Sequence, residues 1–334
     1  MTIRQELERR EESILSPLAC PASRSRGRAR PLEPCPVRTC FQRDVDRIVH
    51  SKAFRRLKHK TQVFLRPEGD HYRTRMTHTL EVAQIAKTIA RGLGLNVDLA
   101  EAAALGHDLG HTPFGHAGER VLNQLLPGGF RHYEQSLRVV DRLENDGDGL
   151  NLTYEVRRGI LCHSGPQQAE TLEGKVVRIS DKIAYLSADI EDALRGGIIY
   201  PLDIPAEVGQ TLGTSHGQRL NTLIVDVIRQ TAGQTQVCQS PRIREAMDEL
   251  RSFMFAQVYT NPACKGEEGK AQEVIRFLFD YYMAHMDDLP EEYRDIRERE
   301  GRERAVCDYI AGMTDAYAVE KFEDLFIPKA WAVK

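Results

Sequence analysis

Residues 107–119 read HDLGHTPFGHAGE, with three histidines, two acids and three glycines in thirteen positions. The stretch leading into them, LAEAAALGHD (Leu99–Asp108), reads as a helix that ends on the His-Asp pair, with Asn96 or Asp98 available to cap its start. The stretch after them, AGERVLNQLL, carries a second helical period. A polar, histidine-rich turn thus lies between two helices, where Gly106, Gly110 and Gly115 let backbone approach a ligand closely.

Working upstream, Thr77 to Leu93 predicts an amphipathic helix with Leu80, Ala83, Ile85, Ala86 and Ile89 on one face, ended by Gly92 and Gly94. Asp44–Phe64 has apolar residues at helical spacing, and Arg66–Asp70 breaks it. Downstream, helical periods fall at HYEQSLRVVDRLE, Thr153–Cys162, Leu172–Leu194, Gln218–Thr231, Pro241–Tyr259 and Ala271–Met286, and a last one covers Asp295–Tyr317. Few stretches alternate with period two, so the expected class is all-α. The expected division is an irregular basic arm over residues 1–42, a helical core over 43–200, and a C-terminal helical region over 201–334 packed on that core.

Composition narrows the function classes. At 334 residues, 41% hydrophobic and 28% charged, the chain can bury a full core. No apolar run is long enough to span a bilayer, and the charged N-terminus, MTIRQELERREE, does not read as a secretory signal. Seven scattered cysteines without a CxxC pair fit reduced thiols, so a cytoplasmic location is expected. Cys20, Cys35 and Cys40 lack the paired spacing of a zinc knot. From Arg24 to Lys60, twelve Lys or Arg face three acids, a balance that suits polyphosphate, nucleic acid or a solvated surface. GEEGKA near Lys270 is no P-loop, because Cys264 and Ala271 stand where glycine and Ser or Thr belong.

Eight of the eleven histidines fall between His50 and His132, a clustering that points to metal or acid–base chemistry. The candidate ligands are His78, His107, Asp108 and Asp181. Imidazole and carboxylate donors together suit a borderline divalent ion with positions left for water and phosphate. Beside them, His116 and Glu119 are three apart at a helix start, so a carboxylate can orient an imidazole. His111 is one turn from His107 if the helix continues. His132 opens a helix after a glycine loop and is the candidate general acid.

The H…HD…D order resembles the HD superfamily. The likeness then tightens: FQRDVDRIVHSKAFRRLKHKTQVF, GDHYRTRMTHTLEVAQIA, ALGHDLGHTPFGHAGE, FRHYEQSLRVV, DKIAYLSADIEDA and DYIAGMTDAYA, spanning Phe41 to Ala318, resemble segments of the bacterial dGTP triphosphohydrolase family in family order. The resemblance implies an HD-domain helical core with additional C-terminal helices, and a divalent metal, magnesium or manganese, on His78, His107, Asp108 and Asp181. It implies Arg75 and Lys182 on substrate phosphate, with Tyr185, Asp189 and Gln62 around the sugar. It also implies His111, His116, Glu119 and His132 at the reacting centre, with cations of the arm or first helix helping to offset phosphoryl charge. The implied reaction cuts a dNTP into deoxynucleoside and intact triphosphate. The implied partners are a dNTP substrate, a dNTP activator in some relatives, a homo-oligomer (tetramer or hexamer) and weakly bound single-stranded nucleic acid. Two rival readings stay open from the residues alone: an HD nucleotidase or phosphodiesterase of other specificity, and a nucleic-acid-binding regulator with a secondary HD site.

Overall fold

The structure, a computed structural model, describes residues 1–62, 73–261 and 266–329. Among these residues the chain is helical, and its only β pairing is two isolated bridges, Arg28 with Thr153 and Thr61 with Thr74. No helix among them is long and apolar enough to cross a membrane. The expected break at Arg66–Asp70 lies outside the described residues.

Three helices set the site. Helix α4 (Arg75–Leu93) starts where the Thr74 hydroxyl accepts from Thr77 N and stops at Gly94, which takes φ 67°. Helix α5 (Val97–Gly106) starts at Asn96, whose side chain accepts from Leu99 N. Helix α9 (Leu172–Arg195) starts at Thr171, which accepts from Gly174 N. Each cap satisfies a backbone donor the helix leaves open. Helix α4 packs along both α5 and α9, and α8 (Tyr154–Cys162) closes the group against α5 and α9. Val82, Ile89, Ala104, Ile160, Val176 and Ile183 fill the seam and are fully buried. Each branched side chain among them contributes about 1.5–3 kcal/mol of burial.

One expected member of the α4 face is wrong: Leu80 is exposed, and Val82 is buried in its place. At 3.6 residues per turn Leu80 points about 140° from the centre of the buried set, so the helical period itself argues against it. Asp44–Phe64 is likewise not one helix. Helix α2 (Cys40–Val49) and the short α3 (Lys52–Arg56) are separated at His50, with Ser51 capping the second.

A second apolar cluster joins α6 (His116–Leu125) to C-terminal helices. It contains Leu122, Phe130, Ile275, Leu278, Val306 and Ile310. The helix expected over Asp295–Tyr317 is in fact three: α14 (Arg294–Glu300), α15 (Arg302–Ala311) and α16 (Asp315–Phe326). Gly301, at φ 98°, turns the chain between the first two, and Thr314 caps the third. Helix α13 (Glu268–Ala284) packs against α6, α15 and α16.

The stretch 1–42 is not irregular throughout. Helix α1 (Ile3–Ile14) carries a full capping box from Thr2 and Gln5. The chain after it is tied to the core: Cys20 N donates to Glu173 (2.9 Å), Ala22 N to Glu11 (2.7 Å) and Arg26 N to Glu155 (2.7 Å). Arg28 forms a buried ion pair with Asp44, whose other oxygen accepts from Thr153 N and Oγ1. Part of the Arg24–Lys60 charge is therefore matched within the chain, inside the fold at Arg28 and Lys60 and at the surface at Arg38 and Lys52. Arg38 pairs with Asp46 and Lys52 with Asp146, while Lys60 is buried and donates to the carbonyls of His111 and Ala311.

Candidate metal centre and active site

Helix α5 ends at Gly106 because the chain must turn to carry the His-Asp pair inward. His107 follows as the C-cap, and its Nδ1 lies 2.6 Å from the Ala104 carbonyl. A carbonyl can only accept, so Nδ1 carries the proton and Nε2 keeps its lone pair. That Nε2 is buried and makes no hydrogen bond among the described residues. Leaving such an acceptor unsatisfied is costly, and a ring fixed through Nδ1 with its Nε2 free is the form a metal-ligating histidine takes.

The other expected ligands surround that atom. Asp108 Oδ1 is 3.3 Å from His107 Nε2, and Asp181 Oδ1 is 3.8 Å from it. His78, one turn into α4, places Nε2 3.1 Å from Asp181 Oδ1 and 3.9 Å from Asp108 Oδ2. Single donor atoms of His78, His107 and Asp108 lie within 4.8 Å of one another. Three helices thus bring two imidazoles and two carboxylates to one point, a donor set that fits a divalent ion.

Arg75 sits behind the cluster, buried, with Nη1 2.6 Å from Asp108 Oδ2 and Nη2 3.1 Å from the Thr61 carbonyl. Its Nε has no partner among the described residues, nor has Gln62 Oε1, so polar capacity is left over at this wall. His111 does not continue α5; it lies in the turn, with Nε2 3.2 Å from Asp108 Oδ1. Burial and the Arg75 charge hold His111 well below the ordinary histidine range, so it is neutral near pH 7. Gly110 makes this packing possible: a Cβ there would stand 2.1 Å from Ser136 N and 2.7 Å from the His132 carbonyl.

Next to it, Glu119 joins two imidazoles. Its carboxylate is 3.0 Å from His116 Nδ1 and 3.0 Å from His132 Nδ1, and it accepts from His132 N at 2.9 Å. Burial would raise this carboxyl, but the bonds to His116 and His132 outweigh it and hold it well below the usual range. Burial also disfavours a charged His132, and the Glu119 bond overcomes it, raising that ring above its ordinary value. The His132 ring stacks on His111, with centroids 4.1 Å apart. A carboxylate behind Nδ1 leaves Nε2–H of His132 as the outward donor, the arrangement of a general acid.

These groups line one cavity of about 610 Å³, of a size that takes a nucleotide. Gln62, Arg75, His78, Asp108, His111, His116, Glu119, His132, Asp181, Tyr185 and Asp189 all reach its wall, and His107 lies just behind it. Lys182 does not; it opens into a separate cavity. Nor does any residue of Arg24–Lys60 line the main cavity, so the expected help from the arm and first helix is absent.

His163, Arg251 and Tyr259 are among the lining residues that escaped the sequence reading. His163 follows α8, donates from Nδ1 to the Ile160 carbonyl at 2.7 Å, and stands edge-on to His107 at 4.9 Å. Burial, with the neighbouring His107 and His132, lowers it to about 3. The motif HSG at a helix end was its available signal. Tyr259 donates to Asp189 at 2.5 Å. Burial pushes Asp189 up to about 7 although that bond opposes the shift. Arg251 and Tyr259 had no spacing signal. They lie on α12 (Pro241–Met254) and on the π-helical turn Phe255–Tyr259 that extends it, where the ordinary helical period is lost.

Comparison with known proteins agrees with this geometry. Residues 75–186 match the HD domain, and residues 237–324 match the phosphohydrolase-associated domain. A deoxyguanosinetriphosphate triphosphohydrolase-like protein of Caldanaerobacter subterraneus subsp. tengcongensis is 58% identical over 331 residues, covering 99% of this chain and 98% of its own. The chain belongs to the deoxyguanosinetriphosphate triphosphohydrolase-like family. Family members of the same description from Desulfatibacillum aliphaticivorans and Clostridium perfringens are 50% and 49% identical, each covering 98% of this chain and 99% of their own. The HD match begins at Arg75 and ends one residue after Tyr185, so it encloses the His/Asp cluster and the Glu119 couple.

Proposed function

We propose that the chain is a metal-dependent hydrolase of deoxynucleoside triphosphates, dGTP or several dNTPs, releasing deoxynucleoside and intact triphosphate. The observation that carries this reading is the free, buried Nε2 of His107 within a His/Asp cluster that shares one cavity with the Glu119–His132 couple. His78, His107, Asp108 and Asp181 would hold the ion, magnesium or manganese. Once bound, it supplies Lewis-acid polarisation of a phosphoryl oxygen.

The chain's own groups do the rest. Arg75, fixed by Asp108, brings positive charge to the phosphate wall. His132, held cationic by Glu119, gives its Nε2 proton to the departing 5′-oxygen. His116 shares that carboxylate from the exposed side and relays protons to solvent. His111, neutral, keeps the His132 ring in plane by stacking. Tyr185, Asp189 and Gln62 meet the sugar, and a ring packed under C2′ rejects a ribose hydroxyl by exclusion. The protein works in the cytoplasm as a homo-oligomer.

The test is product identity. The purified protein is incubated with each dNTP, alone and in pairs, with magnesium or manganese, and products are separated by anion exchange. Deoxynucleoside and inorganic triphosphate are expected, and acceleration in the pairs would reveal an activating dNTP. Monophosphate products, or none with any pair, would overturn the reading.

A further inference from the structure

Two further sets of donors converge beside the His/Asp cluster: Asp108, His111 and His132, and His116, Glu119 and His132. In each set single donor atoms lie within 4.8 Å of one another. Ring geometry decides between them. An imidazole lone pair lies in the plane of its ring. His111 and His132 stack at 17° with centroids 4.1 Å apart, so their lone pairs run in parallel planes and do not meet on one ion. His116 and His132 are inclined at 69° with centroids 6.0 Å apart, so their planes cross. Both present Nδ1 to the carboxylate of Glu119.

The distances are close to those of a coordination shell. Glu119 Oε2 is 3.0 Å from His116 Nδ1 and 3.1 Å from His132 Nδ1. Ligands about 2.1 Å from a tetrahedral zinc ion stand about 3.4 Å apart. Carboxylate and rings therefore need to part by only about 0.3–0.4 Å, with the ion in place of the protons that now bridge them. The frame is held independently of any ion. His116 and Glu119 share the first turn of α6, and His132 opens helix α7 (His132–Arg138), where its backbone N donates to Glu119 Oε1 at 2.9 Å. The His116 side chain is 68% exposed, so an ion reaches the group from solvent. Three protein donors leave the fourth tetrahedral position to water.

The donor types choose the ion. Two imidazoles and one carboxylate suit zinc, whereas magnesium demands an octahedron of oxygens and manganese stands lowest in the affinity order for nitrogen donors. The His/Asp cluster, with two carboxylates, is the better home for those two ions.

We propose that His116, Glu119 and His132 form a second metal site, taking zinc, whose occupation inhibits the enzyme. Zinc binding there is independent of turnover, while its inhibitory effect rests on the triphosphohydrolase reading. An imidazole bound through Nδ1 keeps its Nε2–H but yields that proton far less readily than an imidazolium does. With zinc in place the acid is lost, although the His/Asp cluster is untouched.

Calorimetric titration of zinc chloride into the full chain, freed of metal, tests the site. The parent should take one equivalent more than His116→Ala, and Asp108→Asn one more than the Asp108→Asn, His116→Ala double variant. The exposure of His116 means that its removal spares the fold. Equal stoichiometry and affinity within both pairs would overturn the site. Inhibition is read separately, with manganese-loaded protein and a dNTP, each rate taken relative to the same variant's rate without zinc. His116→Ala should raise the inhibitory zinc concentration roughly ten- to a hundredfold, as loss of a metal's support does. Inhibition of equal strength in parent and His116→Ala would overturn the regulatory role. Failure of the triphosphohydrolase reading would look different: the extra zinc would still bind and depend on His116, yet no dNTP would be cut.

Discussion

Replacing Glu119 by Gln removes a charge while nearly preserving shape. In the protein this carboxylate serves three donors, His132 N at 2.9 Å and the Nδ1 atoms of His132 and His116 at 3.0 Å. The amide keeps one acceptor oxygen, and its NH2 group must then face a ring nitrogen that is itself a donor. Glu119 and His132 side chains are each 13% exposed, so solvent screens the loss only in part. A hydrogen bond to a charged partner contributes about 1.5–3 kcal/mol, and a neutral one about 1 kcal/mol. The cation of His132 therefore loses part of its support, which lowers its titration. The sign follows from the direction of the shift. Glu119 raises His132, so the protonated acid is present below the raised value and is lost as pH climbs through it. In Glu119→Gln that alkaline loss comes at lower pH. Added to misorientation of the ring, kcat on the alkaline side should fall roughly ten- to a hundredfold, within the range general acid catalysis supplies. The assay is deoxynucleoside release across neutral and alkaline pH, with KM measured at each point. An alkaline limb that stays in place, with kcat within about threefold of the parent, would refute the role given to this couple.

Other perturbations have equally definite outcomes. Asp108→Asn should abolish manganese binding, read by calorimetry, together with turnover; Asn is preferred to Ala because its amide oxygen can still accept from the buried Arg75 guanidinium, which Ala would strip of that partner altogether. Tyr185→Ala should narrow the preference for dGTP over GTP by roughly ten- to a hundredfold in kcat/KM. If GTP is still refused, Tyr259, bonded to Asp189, is the next residue to change. Arg28→Ala strands the Asp44 carboxylate in a fully buried site and should lower unfolding stability by about 3 kcal/mol, measured by urea denaturation; an unchanged midpoint would mean the N-terminal segment is not integral to the fold.

The sequence exposed the site unevenly, for physical reasons. His107-Asp108 and His116-Glu119 were legible because covalent adjacency and helical spacing fix their relative positions. His78 and Asp181 could be proposed as their partners because both fall on helical periods, and the packing of α4 and α9 against α5 brings them in. Lys182 is the counterexample. It is adjacent to Asp181, and on a helix one residue is a rotation of about 100°, which turns its side chain out of the main cavity and into the second. Leu80 failed by the same arithmetic. Tyr259 was invisible because a π-helical turn resets the phase that periodicity relies on, and Arg251, on the regular helix before it, stands in no motif that marks it. The three C-terminal helices read as one because apolar spacing carried across Gly301, whose positive φ breaks the rod.

Phe114 has φ 60°, a conformation that costs a bulky residue on the order of 1–3 kcal/mol, and it lies in the turn between His111 and His116. Its backbone N–H is held by Asp315 Oδ1 at 2.9 Å, and the other oxygen of Asp315 takes the amide and hydroxyl of Thr61 beside Gln62. The start of the last helix is thus a clasp on both lips of the catalytic bowl. A chain shortened before Asp315 would keep every ligand and every acid–base group and still lose the tension that shapes their loop. Cutting the clasp alone, by Asp315→Ala, should yield a folded but sluggish protein, and selection at this position is selection on the chemistry two hundred positions upstream.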